Sequence, residues 1–129
     1  MVFSKHFFPF VAALLLVCMF PLPTHALFGS KKKAAEKAGA ILFRDKGCAH
    51  CHGVGGVGGK KAPALTDIRK NKVWNPARMS NQILNGGQKM PPFADSVTDQ
   101  EVAQIVAYLR AKHKPVPPPS QTPEPATAQ

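Results

Sequence analysis

Read by its hydrophobic and polar positions, the chain falls into an apolar head, a helical middle and a proline-rich end. Phe10 to Phe20 is an unbroken apolar run, with Lys5 and His6 ahead of it and Pro21 and Pro23 behind. Thr24-His25-Ala26 then closes on a small residue. A basic start, an apolar centre and a small residue after a helix break form the order of a secretory signal peptide, cleaved after Ala26. The run falls short of the roughly 20 residues that cross a bilayer, so no stable membrane insertion is expected once the signal is removed. Cys18 lies inside the run, but Val17 precedes it where a lipoprotein signal has a small residue.

Beyond residue 26 the spacing is helical. Ser30 is an expected N-cap for a helix through Lys31 to about Phe43, dense in alanine and closed by Ile41, Leu42 and Phe43. Asn75 and Pro76 open a second helix as N-cap and first position, with Met79, Ile83 and Leu84 apolar and Asn85-Gly86-Gly87 as its stop. Thr98 and Glu101 form a capping box before Val102, Ile105, Val106 and Leu109, with Pro115 expected to end that helix. Between these lie a glycine-rich loop, Gly53 to Gly59, and the stretch Met90-Pro91-Pro92-Phe93, which proline keeps extended. From Pro115 onward nothing can fill a core. The expected organisation is a signal over 1–26, one small all-α domain over 27–114 and a disordered, Pro-rich C-terminal tail over 115–129. A domain this short struggles to bury enough apolar surface unaided, and a large apolar cofactor at its centre would repair the deficit.

Charge narrows the partners. The chain carries +10, and losing the signal removes only Lys5 and leaves +9, spread from Lys31 to Lys114. Export and the lack of any nucleic-acid motif set nucleic acid aside. A basic face that steers the protein to redox partners with acidic docking surfaces is expected instead.

Without the signal only Cys48 and Cys51 remain, three residues apart, and a disulfide closing so short a loop would add little stability. Cys48-Ala49-His50-Cys51-His52 is the attachment signature of c-type haem: two thiols meet two vinyl groups on one edge of the macrocycle, and the next residue reaches the iron. The expected cofactor is one haem c, covalent through Cys48 and Cys51, with His52 as an iron ligand. A zinc site needs four ligands without this crowding, and a thioredoxin-like pair needs a βαβ context that is missing here. Gly53-Val54-Gly55-Gly56-Val57-Gly58 fits the dinucleotide pattern by letter, but no strand precedes it and no helix follows, so a pliable loop over the haem is expected.

The second iron ligand is sought among Met79, Met90, His50 and His113. Met79 lies at a core position of a helix, His50 lies inside the attachment turn, and His113 lies near a helix C-terminus that favours an imidazolium. Met90, on a stiff extended segment after two glycines, is the expected ligand, completing the His/Met pair of electron-transfer cytochromes.

These residues resemble the class I cytochromes c of bacteria over about Lys31 to Lys114. The resemblance rests on Gly39 and Phe43 four apart, Cys48 to His52, Ala62-Pro63-Ala64-Leu65, Met90-Pro91-Pro92-Phe93, and Ile105 with Tyr108. It implies the cytochrome c fold, three to four short helices wrapped around one covalently bound haem, with the first and last helices crossing at Gly39 and Phe43 packed near Ile105 and Tyr108. It also implies that the Pro63 carbonyl accepts a hydrogen bond from His52. Ala62 stands where the family has glycine, and Trp74, Arg69 and Arg78 are left as candidate propionate partners. The implied function is a periplasmic, monomeric one-electron carrier and not an enzyme. The rivals are a haem enzyme or sensor with a labile sixth ligand, and a membrane-tethered subunit of a larger redox complex.

Overall fold

The computed structural model describes residues 25–119. The expected signal, including Cys18, and the end of the tail therefore lie outside the described residues, apart from His25 and Ala26 at the start of the first helix. Four α-helices follow in order: α1 (His25–Asp45), α2 (Cys48–His52), α3 (Pro76–Asn85) and α4 (Asp99–Leu109). Two single 3₁₀ turns, Val54–Gly56 and Ile68–Lys70, lie between α2 and α3. No strand occurs among the described residues, and no helix there is long and apolar enough to cross a membrane. The chain is all-α, as its spacing predicts.

α1 is built from Lys, Glu and Ala, the strongest helix formers. Its buried stripe, Gly39, Ala40 and Phe43, faces α4, the helix it packs on most. The crossing is as close as backbones allow. A Cβ on Gly39 would stand 1.9 Å from the Gln104 carbonyl oxygen and 2.8 Å from Tyr108 Cβ. Only glycine fits there, and its helix-propensity cost of roughly 1 kcal/mol is offset by that contact. Phe43 and Tyr108 then meet at 5.5 Å between ring centroids, tilted by 52°, a geometry aromatic quadrupoles favour. Ile105 and Tyr108 are each only 1% exposed. α3 adds Met79 and Ile83 to the same core.

Two of the three expected caps form where the sequence sets them. Asn75 accepts the Arg78 backbone N–H at 2.9 Å, and Thr98 and Glu101 form a complete capping box. Three expectations are corrected. First, α1 begins at His25, so Ser30 lies within the helix and not at its cap, and α1 is a long helix of 21 residues. No proline lies between Pro23 and Ser30, and the single Gly29 is tolerated within the helix at a cost of roughly 1 kcal/mol. Second, α4 ends at Leu109, well before Pro115. There the Ala111 N–H turns to the Tyr108 carbonyl at 3.1 Å, and Arg110 reaches across to the Trp74 carbonyl at 2.9 Å. Third, the Gly53–Gly59 stretch is not loop throughout, because Val54–Gly56 forms a 3₁₀ turn. Gly53, Gly55, Gly56 and Gly58 hold left-handed backbone conformations, and hydrogen bonds from Gly58 N–H to His52 and from Leu65 N–H to Gly56, both 2.7 Å, tie the loop down. The first tail residues, 115–119, have no regular secondary structure, and the Pro118 carbonyl accepts a hydrogen bond from Arg44.

Candidate haem site

α2 explains why two thiols and an imidazole act together. Cys48, Cys51 and His52 stand at i, i+3 and i+4 of one helical turn and so share a face. All three line a cavity of about 760 Å³, whereas His50, between the thiols, is exposed and does not. The rest of the lining is largely apolar, with Leu65, Ile68, Trp74, Met79, Ile83 and Phe93 among its side chains. This volume suits a bound cofactor, since such pockets run from about 300 to 1,000 Å³. Cys48 and Cys51 form no disulfide, and burial pushes the Cys48 thiol up, so it stays a neutral S–H.

Behind His52, its ring Nδ1 lies 3.0 Å from the Pro63 carbonyl oxygen. A carbonyl only accepts, so Nδ1 carries the hydrogen and Nε2 keeps the free lone pair. That is the arrangement in which an imidazole binds a metal through Nε2 while a second partner fixes its plane. Pro63 itself lines the cavity.

Met90 reaches the same cavity from the loop after α3, a loop held tightly. Gly86 ends α3 with φ +70, and a Cβ on it would meet the Met90 carbonyl oxygen at 2.4 Å and Pro92 N at 2.7 Å. Gly87 N–H donates to the Met90 carbonyl at 2.8 Å, Gln82 Nε2 donates to the Gly86 carbonyl at 2.7 Å, and Phe93 N–H returns to the Ile83 carbonyl at 3.1 Å. The two prolines stiffen what these bonds anchor.

Of the other candidate ligands, Met79 also lines the cavity but is only 3% exposed and sits in the helical core. His113 is exposed and outside the lining. Of the propionate candidates, Trp74 lines the cavity, whereas Arg69 and Arg78 do not. Arg78 instead lies 4.9 Å over the Trp74 ring, and Arg110 holds the Trp74 carbonyl. Sequence reasoning missed Arg110 and Lys114, which act across long stretches of chain and leave no local pattern. No group of three His, Cys, Asp or Glu side chains suited to a metal ion occurs among the described residues.

The residues therefore fit haem: an apolar slot of adequate size, two adjacent thiols on its wall, a correctly polarised imidazole and a thioether. Comparisons with known proteins agree. The family described as cytochrome c oxidase, cbb3-type, subunit III matches residues 34–109. The cbb3-type cytochrome c oxidase subunit FixP of Sinorhizobium medicae is 34% identical over 87 residues, which are 58% of this chain and 29% of that protein. The quinohemoprotein alcohol dehydrogenase ADH-IIG of Pseudomonas putida is 39% identical over 83 residues, 62% of this chain and 11% of that protein. Cytochrome c6 of Synechocystis sp. is 29% identical over 97 residues, 73% of this chain and 80% of that protein. The chain thus spans less than a third of the first two relatives and most of the third. No solved structure matches significantly. With the cysteine–histidine turn, the apolar slot and the family match over most of the folded residues in agreement, the chain belongs to that cytochrome c family, as a class I c-type cytochrome with covalently bound haem c.

Proposed function

We propose that the protein is an exported, monomeric electron carrier whose haem iron is held by His52 Nε2 on one face and the Met90 thioether on the other. The observation that carries this is that His52 and Met90 line the same apolar cavity as Cys48 and Cys51, whereas His50 and His113 do not. Met79 is the competing thioether, but it is already committed to the helical core with Ile83 and Val102. When bound, the haem supplies a one-electron ferrous/ferric couple. Around it, the chain excludes water with apolar side chains and fixes the imidazole plane through Pro63. A thioether ligand and a dry pocket both favour the ferrous state and raise the potential. With protein ligands on both faces, no iron position remains for a substrate, which favours a carrier over an enzyme or sensor.

The absorption spectrum of the oxidised protein tests this. A far-red sulfur-to-iron charge-transfer band is expected, lost in Met90→Ala together with a fall in potential, and retained in Met79→Ala. A high-spin spectrum of the parent, or a band that survives Met90→Ala, would defeat the assignment. Export to the periplasm predicts a mature protein that starts at Leu27, which mass spectrometry reads directly. Lys61 and Lys89 stand on the cavity lining and are exposed, which suits acidic redox partners. Reduction by such a partner is expected to slow as ionic strength rises.

A second reading, a domain or tethered subunit of a larger redox complex, is favoured by the family description and by FixP, of which the chain spans 29%. Isolation of the native protein in association with an integral membrane oxidase would favour it over the free shuttle.

A further inference from the structure

We infer that Lys114 is a positioning residue for His52, acting through the loop that carries Pro63. The inference rests on His52 being an iron ligand. The loop between α2 and the 3₁₀ turn at Ile68 leaves His52 and then brings the Pro63 carbonyl back to it. Its apolar packing rests on Leu65, which lies against the core, while Val54 and Val57 are 76% and 64% exposed. Segments of that kind open easily unless something ties them down.

Lys114 does so from outside the loop. Its ammonium donates to the Leu65 carbonyl at 3.1 Å and to the Gly55 carbonyl at 3.3 Å, gathering both arms of the loop at one point. Among the described residues, no other side chain from beyond the loop hydrogen-bonds to its backbone between Gly53 and Leu65, except the His52 ring. The ammonium also lies 5.8 Å from the Tyr108 ring centroid, and Tyr108 is the residue packed on Phe43 of α1. One charge thus joins the loop to the α1–α4 crossing. Burial holds Lys114 below the ordinary lysine range, with Asp67 opposing, in keeping with a cation that has exchanged part of its hydration for carbonyl oxygens. An ammonium has three donors and no acceptor, so two carbonyls and an aromatic face suit it well.

The Leu65 carbonyl lies two residues beyond the Pro63 carbonyl, so slack at one is felt at the other. A carbonyl behind a ligating histidine sets the ring plane and makes the imidazole more basic. A looser Pro63 would leave a less basic ligand, which stabilises ferric iron less and raises the potential. Loss of a nearby positive charge alone acts in the opposite sense, because it favours the ferric state. The two effects are therefore separable.

The test uses the full-length holoprotein and compares Lys114→Met with Lys112→Met, which removes the same charge from an exposed neighbour. Hydrogen exchange at the Gly58 and Leu65 amides is expected to speed up by about tenfold or more in Lys114→Met, the scale of a lost charged hydrogen bond. Amides in α1 and α4 should change far less, and the potential should rise above that of Lys112→Met. Lys114→Arg, which keeps charge and donors, should return both readouts toward the parent. If Lys114→Met yields no holoprotein, Lys114→Gln, neutral but still a donor, serves in its place, with smaller shifts in the same directions. Loop amides that exchange at the parent rate would overturn the clamp. Faster loop exchange with a potential equal to or below that of Lys112→Met would overturn its transmission to His52. The loop amides report on Lys114 whatever ligates the iron, and the Met90 and Met79 variants test the ligand set separately.

Discussion

The α1–α4 crossing and the cavity wall are held together by different means. At the crossing, two regular helices bury Ala40, Phe43, Ile105 and Tyr108 against each other, and side chain meets side chain directly. The cavity wall is mostly loop, kept in place by backbone hydrogen bonds, left-handed glycines and prolines, with Leu65, Ile68, Trp74, Met90 and Phe93 only partly buried at the edge of that core. The first region has its hydrophobic core within the polypeptide. The second would complete its core with a flat apolar group in the slot. Covalent attachment at Cys48 and Cys51 then bears first on the cavity side of the molecule, whereas the crossing has side-chain packing of its own.

The strongest test of that division removes the attachment. Cys48→Ser combined with Cys51→Ser should yield a protein whose pigment, if any, is extracted by acidified organic solvent. Hydrogen exchange should show the loops at 53–74 and 86–93 unprotected while the α1–α4 amides keep measurable protection. Equal loss in both regions would mean that the crossing also depends on the cofactor. Next in size is Phe43→Ala, which deletes one ring of the Phe43–Tyr108 pair at the centre of the crossing. Truncations of this kind cost about 3–5 kcal/mol, and chemical denaturation of the holoprotein should show it with the absorption spectrum unchanged. Gly39→Ala follows, since its Cβ must displace the Gln104 carbonyl, which is backbone and yields poorly. Overpacking of this kind costs about 1–3 kcal/mol, and a variant as stable as the parent would show that the helices can part without loss.

The same division decides what could be read from the sequence. Helical spacing and caps are local, so Asn75, Pro76, Thr98, Glu101 and the buried stripe of α4 were legible from residue types alone. The haem-attachment turn was legible for the same reason, because i, i+3 and i+4 fit on one turn of helix. Met90 was singled out by its stiff, proline-flanked segment after two glycines, and the cavity includes it. Pro63 and the Gly39 contact came from the family resemblance, since nothing in their own neighbourhoods says what they meet. The hydrogen bonds that tie the glycine loop were not legible at all. Its bonds to Lys114 join residues 59 and 49 positions apart, and composition alone suggests a loose segment. The start of α1 was misjudged because Gly29-Ser30 before a charged, alanine-rich run reads as a helix start, although a helix can continue through a single glycine.

The smallest expected effect lies at the joint between the two regions. Lys46, two residues ahead of Cys48, donates to the Ser96 carbonyl at 2.6 Å and pairs with Glu101 at 3.1 Å, which links the approach to α2 with the start of α4. Thr98→Ala removes the other half of that cap and should cost about 1 kcal/mol, read as a lower denaturation midpoint with the cavity-side amides unchanged. For Glu101, the Thr98 backbone N–H first and the Lys46 ammonium next hold its carboxyl below the usual carboxylate range. The folded state therefore binds this proton more weakly than the unfolded state does. Its stabilising effect is complete above the unfolded carboxylate's pKa and is lost as the pH falls through the lower, folded value. Glu101→Gln should remove that part of the acid dependence and leave the neutral-pH spectrum as it was. Both partners are partly solvated, so the change should be small. If Glu101→Gln instead altered the haem spectrum, the joint would be transmitting strain into α2, and the two regions would have to be treated as one.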